Sequence, residues 1–249
     1  MRVSLFITCL IDAFYPEVGR SAVRILERLG MQVDFPARQT CCGQPAFNSG
    51  FREEARIAAV SLLDAFKDSE YVVGPSGSCV SMVRHYLPQL FAGTPREQEA
   101  KDLAARTYEL CEFLVRVLQV VDVGARMPAR VTYHSSCHGA RGLGVRDEPL
   151  TLLRHVRDLE LVDLPYAEDC CGFGGTFAVK FAELSAEMGR AKAKQVAATG
   201  AQLLTGIDMS CLMHLGGLLR RQGSPVRVMH VAEILDRGAA GRFTRGRSA

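Results

Sequence analysis

Nine cysteines punctuate the 249-residue chain, and eight of them fall into two matching sets. The first is Cys9, a gap of 31 residues, the doublet Cys41–Cys42, a gap of 36, and Cys79. The second is Cys137, a gap of 32, the doublet Cys170–Cys171, a gap of 39, and Cys211. Glycine follows each doublet at once, in TCCGQPAFNSG (40–50) and DCCGFGGTF (169–177). Cys111 stands outside the repeat, in TYELCEFLVRVL, which reads as a plain amphipathic helix with a buried thiol. Adjacent α-carbons are about 3.8 Å apart, whereas a relaxed disulfide spans roughly 4.4–6.8 Å, so neither doublet bridges itself. Soft thiols in this number and order bind metal or carry redox chemistry.

Four thiolates per set suit a four-cysteine zinc site or an iron–sulfur cluster of the cubane, [4Fe-4S], type. Structural zinc usually draws on close pairs such as C-x-x-C. An adjacent doublet cannot easily put both sulfurs on one small tetrahedral ion, but each sulfur can reach a different iron of a cluster. The spacing favours one or two iron–sulfur clusters per chain, with zinc at one site as the alternative. All eight cysteines of the repeat are the expected ligands.

The elements around the sulfurs repeat as well. RVSLFI, MQVDFP and YVVGP read as short strands, and Cys9, Cys41–Cys42 and Cys79 follow them in turn. EVGRSAVRILERLG and FREEARIAAVSLLDAFK are helical between them. ARVTYH, LELVDLP and AQLLTG precede Cys137, Cys170–Cys171 and Cys211 in the same way, and VRVMH with VAEILDRG adds a last strand and helix. Alternating strands and helices give parallel sheets. The expected fold is α/β: two pseudo-symmetric Rossmann-like halves, residues 1–92 and 128–238, joined by a mostly helical connector, 93–127. Residues 239–249 read as a flexible basic tail. Every cysteine of a set falls just past a strand's C-terminal end, so each set should converge at one edge of its own sheet, where such folds bind ligands. Helix N-termini there favour thiolate, and the glycines let backbone N–H groups approach sulfur.

Composition adds exclusions. The chain is 48% hydrophobic and 23% charged, with a formal net charge of +3. That is too little positive charge to argue for nucleic acid. No apolar run approaches a membrane span, and MRVSLFITCLIDAF does not read as a signal peptide. Reduced thiols fit a cytoplasmic location.

FITCLIDAFYPEVG, PARQTCCGQPAFNSG, GPSGSC, YHSSCHGARGLG, DCCGFGGTFAVK and DMSCLMH together resemble the CCG cysteine-rich domain, present twice. That domain also occurs in heterodisulfide reductase and in the iron–sulfur subunits of glycolate oxidase and anaerobic glycerol-3-phosphate dehydrogenase. The short stand-alone arrangement is similar to the lactate utilisation protein A family over about residues 2–236. The resemblance implies an iron–sulfur subunit of a complex that oxidises L-lactate to pyruvate, with partners resembling lactate utilisation proteins B and C. Where the heterodisulfide reductase domains have C-x-x-C, this chain has Ser76 with Cys79 and Asp208 with Cys211. That departure argues against heterodisulfide chemistry and leaves Ser76 and Asp208 as oxygen ligands or neighbours. The chain has no ferredoxin-type C-x-x-C-x-x-C run, so a separate protein must conduct electrons. His134 and His138, flanking Cys137, could tune a cluster, bind the substrate carboxylate or shuttle a proton. Arg141 is placed to bind an anion, His214 sits one turn past Cys211, and His85, His155 and His230 read as surface or core residues.

Overall fold

The computed structural model describes residues 1–238 and the backbone of Thr244–Arg245. The first half runs β1 (Arg2–Leu5), α1 (Cys9–Phe14), α2 (Pro16–Arg28), β2 (Gln32–Asp34), α3 (Gln44–Asn48), α4 (Arg52–Phe66), β3 (Tyr71–Gly74), α5 (Gly77–Ser81), α6 (Leu87–Leu90), α7 (Glu97–Ala105) and β4 (Thr107–Glu109). Then come α8 (Leu110–Glu112) and β5 (Val120–Asp122). The second half runs β6 (Arg126–Tyr133), α9 (Asp147–Arg154), β7 (Arg157–Val162), α10 (Phe177–Lys180), α11 (Ala182–Ala198), β8 (Leu203–Gly206), α12 (Met209–Arg221), β9 (Arg227–His230) and α13 (Val231–Asp236).

Two four-stranded parallel sheets result, ordered β2-β1-β3-β4 and β7-β6-β8-β9. The orders are the same, so the halves are Rossmann-like repeats. Val3, Leu5, Val72 and Val73 are buried, as are all four residues of β8, because helices cover both sheet faces. The helices show the matching pattern. In α2, Pro16 opens the first turn, and Val18, Ala22, Ile25 and Leu26 form its buried stripe.

The connector differs from expectation. TYELCEFLVRVL is not one helix: Thr107–Glu109 forms β4, which pairs with β3 and completes the first sheet. The buried Glu109 side chain then accepts N–H bonds from Cys111 (2.7 Å) and Glu112 (3.2 Å), which starts α8. Glu112 bonds back to the Glu109 N–H, a reciprocal cap. His230 and Glu233 form the same device at the head of α13, after the equivalent strand. Of the segment expected as a tail, the backbone of Thr244–Arg245 (β10) pairs antiparallel with β5; residues 239–243 and 246–249 lie outside the described residues.

The halves are closely joined. One apolar core runs from Val3 and Ile25 through Leu110 and Phe113 to Val131, Leu203 and Leu235. Arg24 and Arg28 on α2 bond to Asp236 at the end of α13, at 2.6 and 3.2 Å. Near the sheet edges, α5 packs on the turn His138–Leu143 so tightly that a Cβ on Gly77 would lie 3.1 Å from the Gly139 α-carbon.

Candidate functional site

Each cysteine of the repeat follows a strand. Cys9 lies four residues past β1 and opens α1, and Cys79 sits in the first turn of α5 after β3. Cys137, Cys170–Cys171 and Cys211 follow β6, β7 and β8 in the same way. The two sheets face their C-terminal edges toward each other, so the two sets, each at the edge of its own sheet, open on the same space. All eight cysteines line one cavity of about 340 Å³. Cys111 is buried outside it, where burial pushes its thiol pKa well up.

Within the first set, Cys9 Sγ lies 3.8 Å from Cys41 Sγ, and Cys42 Sγ lies 3.5 Å from Cys79 Sγ. The second set repeats the scheme, with Cys137 beside Cys170 and Cys171 beside Cys211. All nine cysteines are free thiols. The glycines turn the chain under the doublets. Gly43 and Gly172 have φ of 81° and 87°, in the left-handed region. Gly172 N–H donates to Cys170 Sγ at 3.3 Å, and Gly43 N–H stands in the same relation to Cys41.

Those donors set the charge. Thiol bonds from Cys42 and Cys9, with the Gly43 N–H, pull Cys41 down to about 2. Bonds from Cys137 and Cys171, with the Gly172 N–H, do the same for Cys170, also to about 2. Serving as donors, and being desolvated, raises Cys9, Cys42, Cys137 and Cys171. Each half thus presents a thiolate among thiols whose protons a metal would displace. Soft sulfur around a shared cavity is a donor set for metal ions or a metal–sulfur cluster.

The two positions that depart from C-x-x-C touch each other. Ser76 and Asp208 are the N-cap residues of α5 and α12, and both are buried. Neither caps its own helix through its side chain. Instead the Asp208 carboxylate accepts from Ser78 N–H (2.8 Å), Ser78 Oγ (2.7 Å) and Ser76 Oγ (3.1 Å). The second half therefore caps α5 of the first. Desolvation raises the Asp208 pKa against these bonds and the nearby His138.

Among the expected polar residues, His138 lines the cavity, with Nδ1 3.6 Å from Cys137 Sγ and Nε2 3.4 Å from Gln44 Nε2 of the opposite half. His134 is buried at 1% exposure, and it shares a compact group with Cys171 and Cys211, their ligating atoms within 4.8 Å of one another. Desolvation and the nearby Lys192 charge pull its pKa down to about 3, so the ring is neutral. Arg141 is exposed; it bonds toward Cys137 but does not line the cavity. His214 lies behind the site, near Ser185 O and the Phe173 ring. His85 and His155 are exposed and His230 is buried. Sequence reasoning missed Gln44 and Ser78, which bridge the halves. Their only signal was position, Gln44 directly after the first CCG and Ser78 directly before Cys79.

The CCG cysteine-rich domain matches residues 3–84 and 131–216 of the chain. Over 237 residues the chain is 56% identical to lactate utilization protein A of Geobacillus kaustophilus, covering 95% of this chain and 99% of that one. It is 55% identical to the protein of that name from Geobacillus thermodenitrificans, with the same coverage. The chain belongs to the lactate utilization protein A family. A further member, lactate utilization protein A 2 of Bacillus cereus, is 53% identical over 239 residues, covering 96% of this chain and 99% of that one. Both matched CCG segments end within α12 or just beyond α5, so each contains one complete cysteine set. No helix among the described residues is long and apolar enough to cross a membrane.

Proposed function

We propose that the chain is the iron–sulfur subunit of a complex that oxidises L-lactate to pyruvate, a reaction that releases two electrons and two protons. The observation that carries this reading is the convergence of eight cysteines on one cavity, in a family whose members are named for lactate utilisation. Clusters of the [4Fe-4S] type, when bound, would accept and pass electrons. Cys9, Cys41, Cys42 and Cys79 would hold one, and Cys137, Cys170, Cys171 and Cys211 the other. The chain's own groups do the rest. The Gly43 and Gly172 N–H groups offset negative charge on sulfur, and the Asp208 cap holds the two cysteine-bearing helices in register. His138, which lines the cavity beside Cys137, suits an anionic carboxylate, and the exposed Arg141 bonds toward Cys137 from outside it. The functional units are the two CCG domains, 1–92 and 128–238, with 93–127 between them, and the reduced thiols fit the cytoplasm. Partner subunits resembling lactate utilisation proteins B and C supply the path for electrons to leave. Anaerobic purification followed by iron, sulfide and zinc analysis tests this. Brown protein with iron and sulfide, bleached by dithionite, is the expected result; colourless protein without iron overturns it.

One observation favours a second reading, a zinc-bound assembly module without redox role. Four sulfurs bonded to one zinc at about 2.3 Å stand about 3.8 Å apart. The 3.8 and 3.5 Å sulfur separations in the first set are close to that edge. Stoichiometric zinc in colourless protein is its signature. The cavity of about 340 Å³, shared by both sets, is more room than a single ion needs.

A further inference from the structure

The two halves differ at one buried position beside the sulfurs. His134 stands three residues before Cys137, and Phe6 stands three before Cys9. Their backbones superpose in role: Phe6 N–H donates to Val73 O and His134 N–H to Thr205 O, both at 2.8 Å. Each carbonyl faces a strand-end glycine, where a Cβ would lie 3.1 Å from Phe6 O at Gly74 and 3.0 Å from His134 O at Gly206. Each side chain is 1% exposed. Phe6 is content there, edge-on to Phe66 at 5.7 Å between ring centroids. His134 is not: neither Nδ1 nor Nε2 has a hydrogen-bond partner. An unsatisfied buried polar group is costly, so such a ring calls for a partner outside the protein's own hydrogen bonds. The sulfurs of Cys171 and Cys211 are grouped with it inside 4.8 Å, a spacing at which all three could hold one metal ion.

We propose that His134 donates a ring nitrogen to the metal centre at Cys171 and Cys211, so that the two halves hold centres of unlike ligation. The first half has only sulfur donors around an apolar Phe6 wall. The second has a buried corner of one imidazole and two cysteine sulfurs, with Cys137 and Cys170 on the half-exposed side. The inference rests on the metal-binding reading above.

The test uses the full chain, purified anaerobically from cells fed ¹⁵N-histidine, reduced, and read by pulsed electron paramagnetic resonance beside iron and zinc analysis. Strong ¹⁵N coupling is expected in the wild type and in the His138→Gln and His214→Gln variants, and its loss is expected in His134→Phe, which copies the first half. No ¹⁵N coupling in iron-loaded wild type overturns the inference, as does coupling that survives His134→Phe or disappears in His138→Gln. If His134→Phe does not fold, the wild type and the other two variants still decide. Protein that holds zinc and no iron overturns the iron–sulfur reading instead. X-ray absorption at the zinc edge then tests His134 separately: imidazole scattering upholds the inference, and an all-sulfur shell overturns it.

Discussion

Substituting the two doublet glycines separates what the turn requires from what packing requires. Gly43 and Gly172 have nearly the same φ, 81° and 87°, so alanine at either pays the left-handed penalty of about 1–2 kcal/mol. Their surroundings differ. A Cβ on Gly43 would lie 3.1 Å from Ala55 O and 3.5 Å from the Ala55 α-carbon, tight contacts that a small shift of α4 relieves. A Cβ on Gly172 would lie 2.5 Å from Ser185 O and 2.9 Å from Met188 Cβ, inside the body of α11. The backbone there must move, at about 1–3 kcal/mol more. Gly43→Ala should therefore cost about 1–2 kcal/mol and Gly172→Ala about 2–5 kcal/mol. For a chain of this size the difference is a gap of about 2–12 °C in Tm. Anaerobic thermal and urea unfolding of metal-free protein measures it, with Gly217→Ala as a control. Gly217 is mid-helix, has ordinary φ and would meet nothing within 4 Å, so alanine there should stabilise by up to about 1 kcal/mol. Equal losses at Gly43 and Gly172, or a larger loss at Gly43, would refute the packing argument.

Cys170→Ser and Cys171→Ser should each lower iron and sulfide content, while Cys111→Ser leaves both unchanged; metal analysis of the three variants checks this. Asp208→Ala removes the acceptor of three bonds between the halves and should cost about 2–4 kcal/mol, measured by urea unfolding, with Asp208→Asn losing less. His230, buried as the cap of α13 and pulled down to about 4 by desolvation, stays neutral in the folded protein while the unfolded chain protonates near 6.5. Its contribution is whole above pH 6.5 and is lost as pH falls toward 4, by about 3 kcal/mol in all. His230→Asn, a cap that does not titrate, should therefore lose less stability than wild type across that window, read from denaturation midpoints at pH 4, 5, 6 and 7.

Strand ends and cysteine sets were legible because both signals are local. Apolar β-branched runs such as YVVG mark the strands, and the doublets lie in the loops that follow them. β4 was not legible, since Thr107–Glu109 is too short for a period to show and merges with the apolar pattern of α8. The Glu109–Glu112 spacing held the missing signal, a helix cap inside what looked like a helix. That both sets open on one cavity was also hidden. Spacing within a half says nothing about how two halves dock, and the docking depends on the glycine contact at Gly77 and Gly139 and on Asp208. Nor does sequence distinguish a lining histidine from an exposed arginine one turn on, as His138 and Arg141 prove to be.

Asp208 has a consequence for how such a protein could be assembled. Ser76 and Asp208 occupy the same place in the two repeats and meet each other, so the contact joins a donor to an acceptor. Two identical copies of the first repeat, docked the same way, would set hydroxyl against hydroxyl and leave the Ser78 N–H without its carboxylate. Two copies of the second would bring a pair of buried carboxylates together, a repulsion that would force a proton onto one of them. The contact works only between unlike halves, and one chain that carries both lets each change without changing the other. A symmetric dimer of single repeats could copy the sheets and the cysteines, but not the clasp between them.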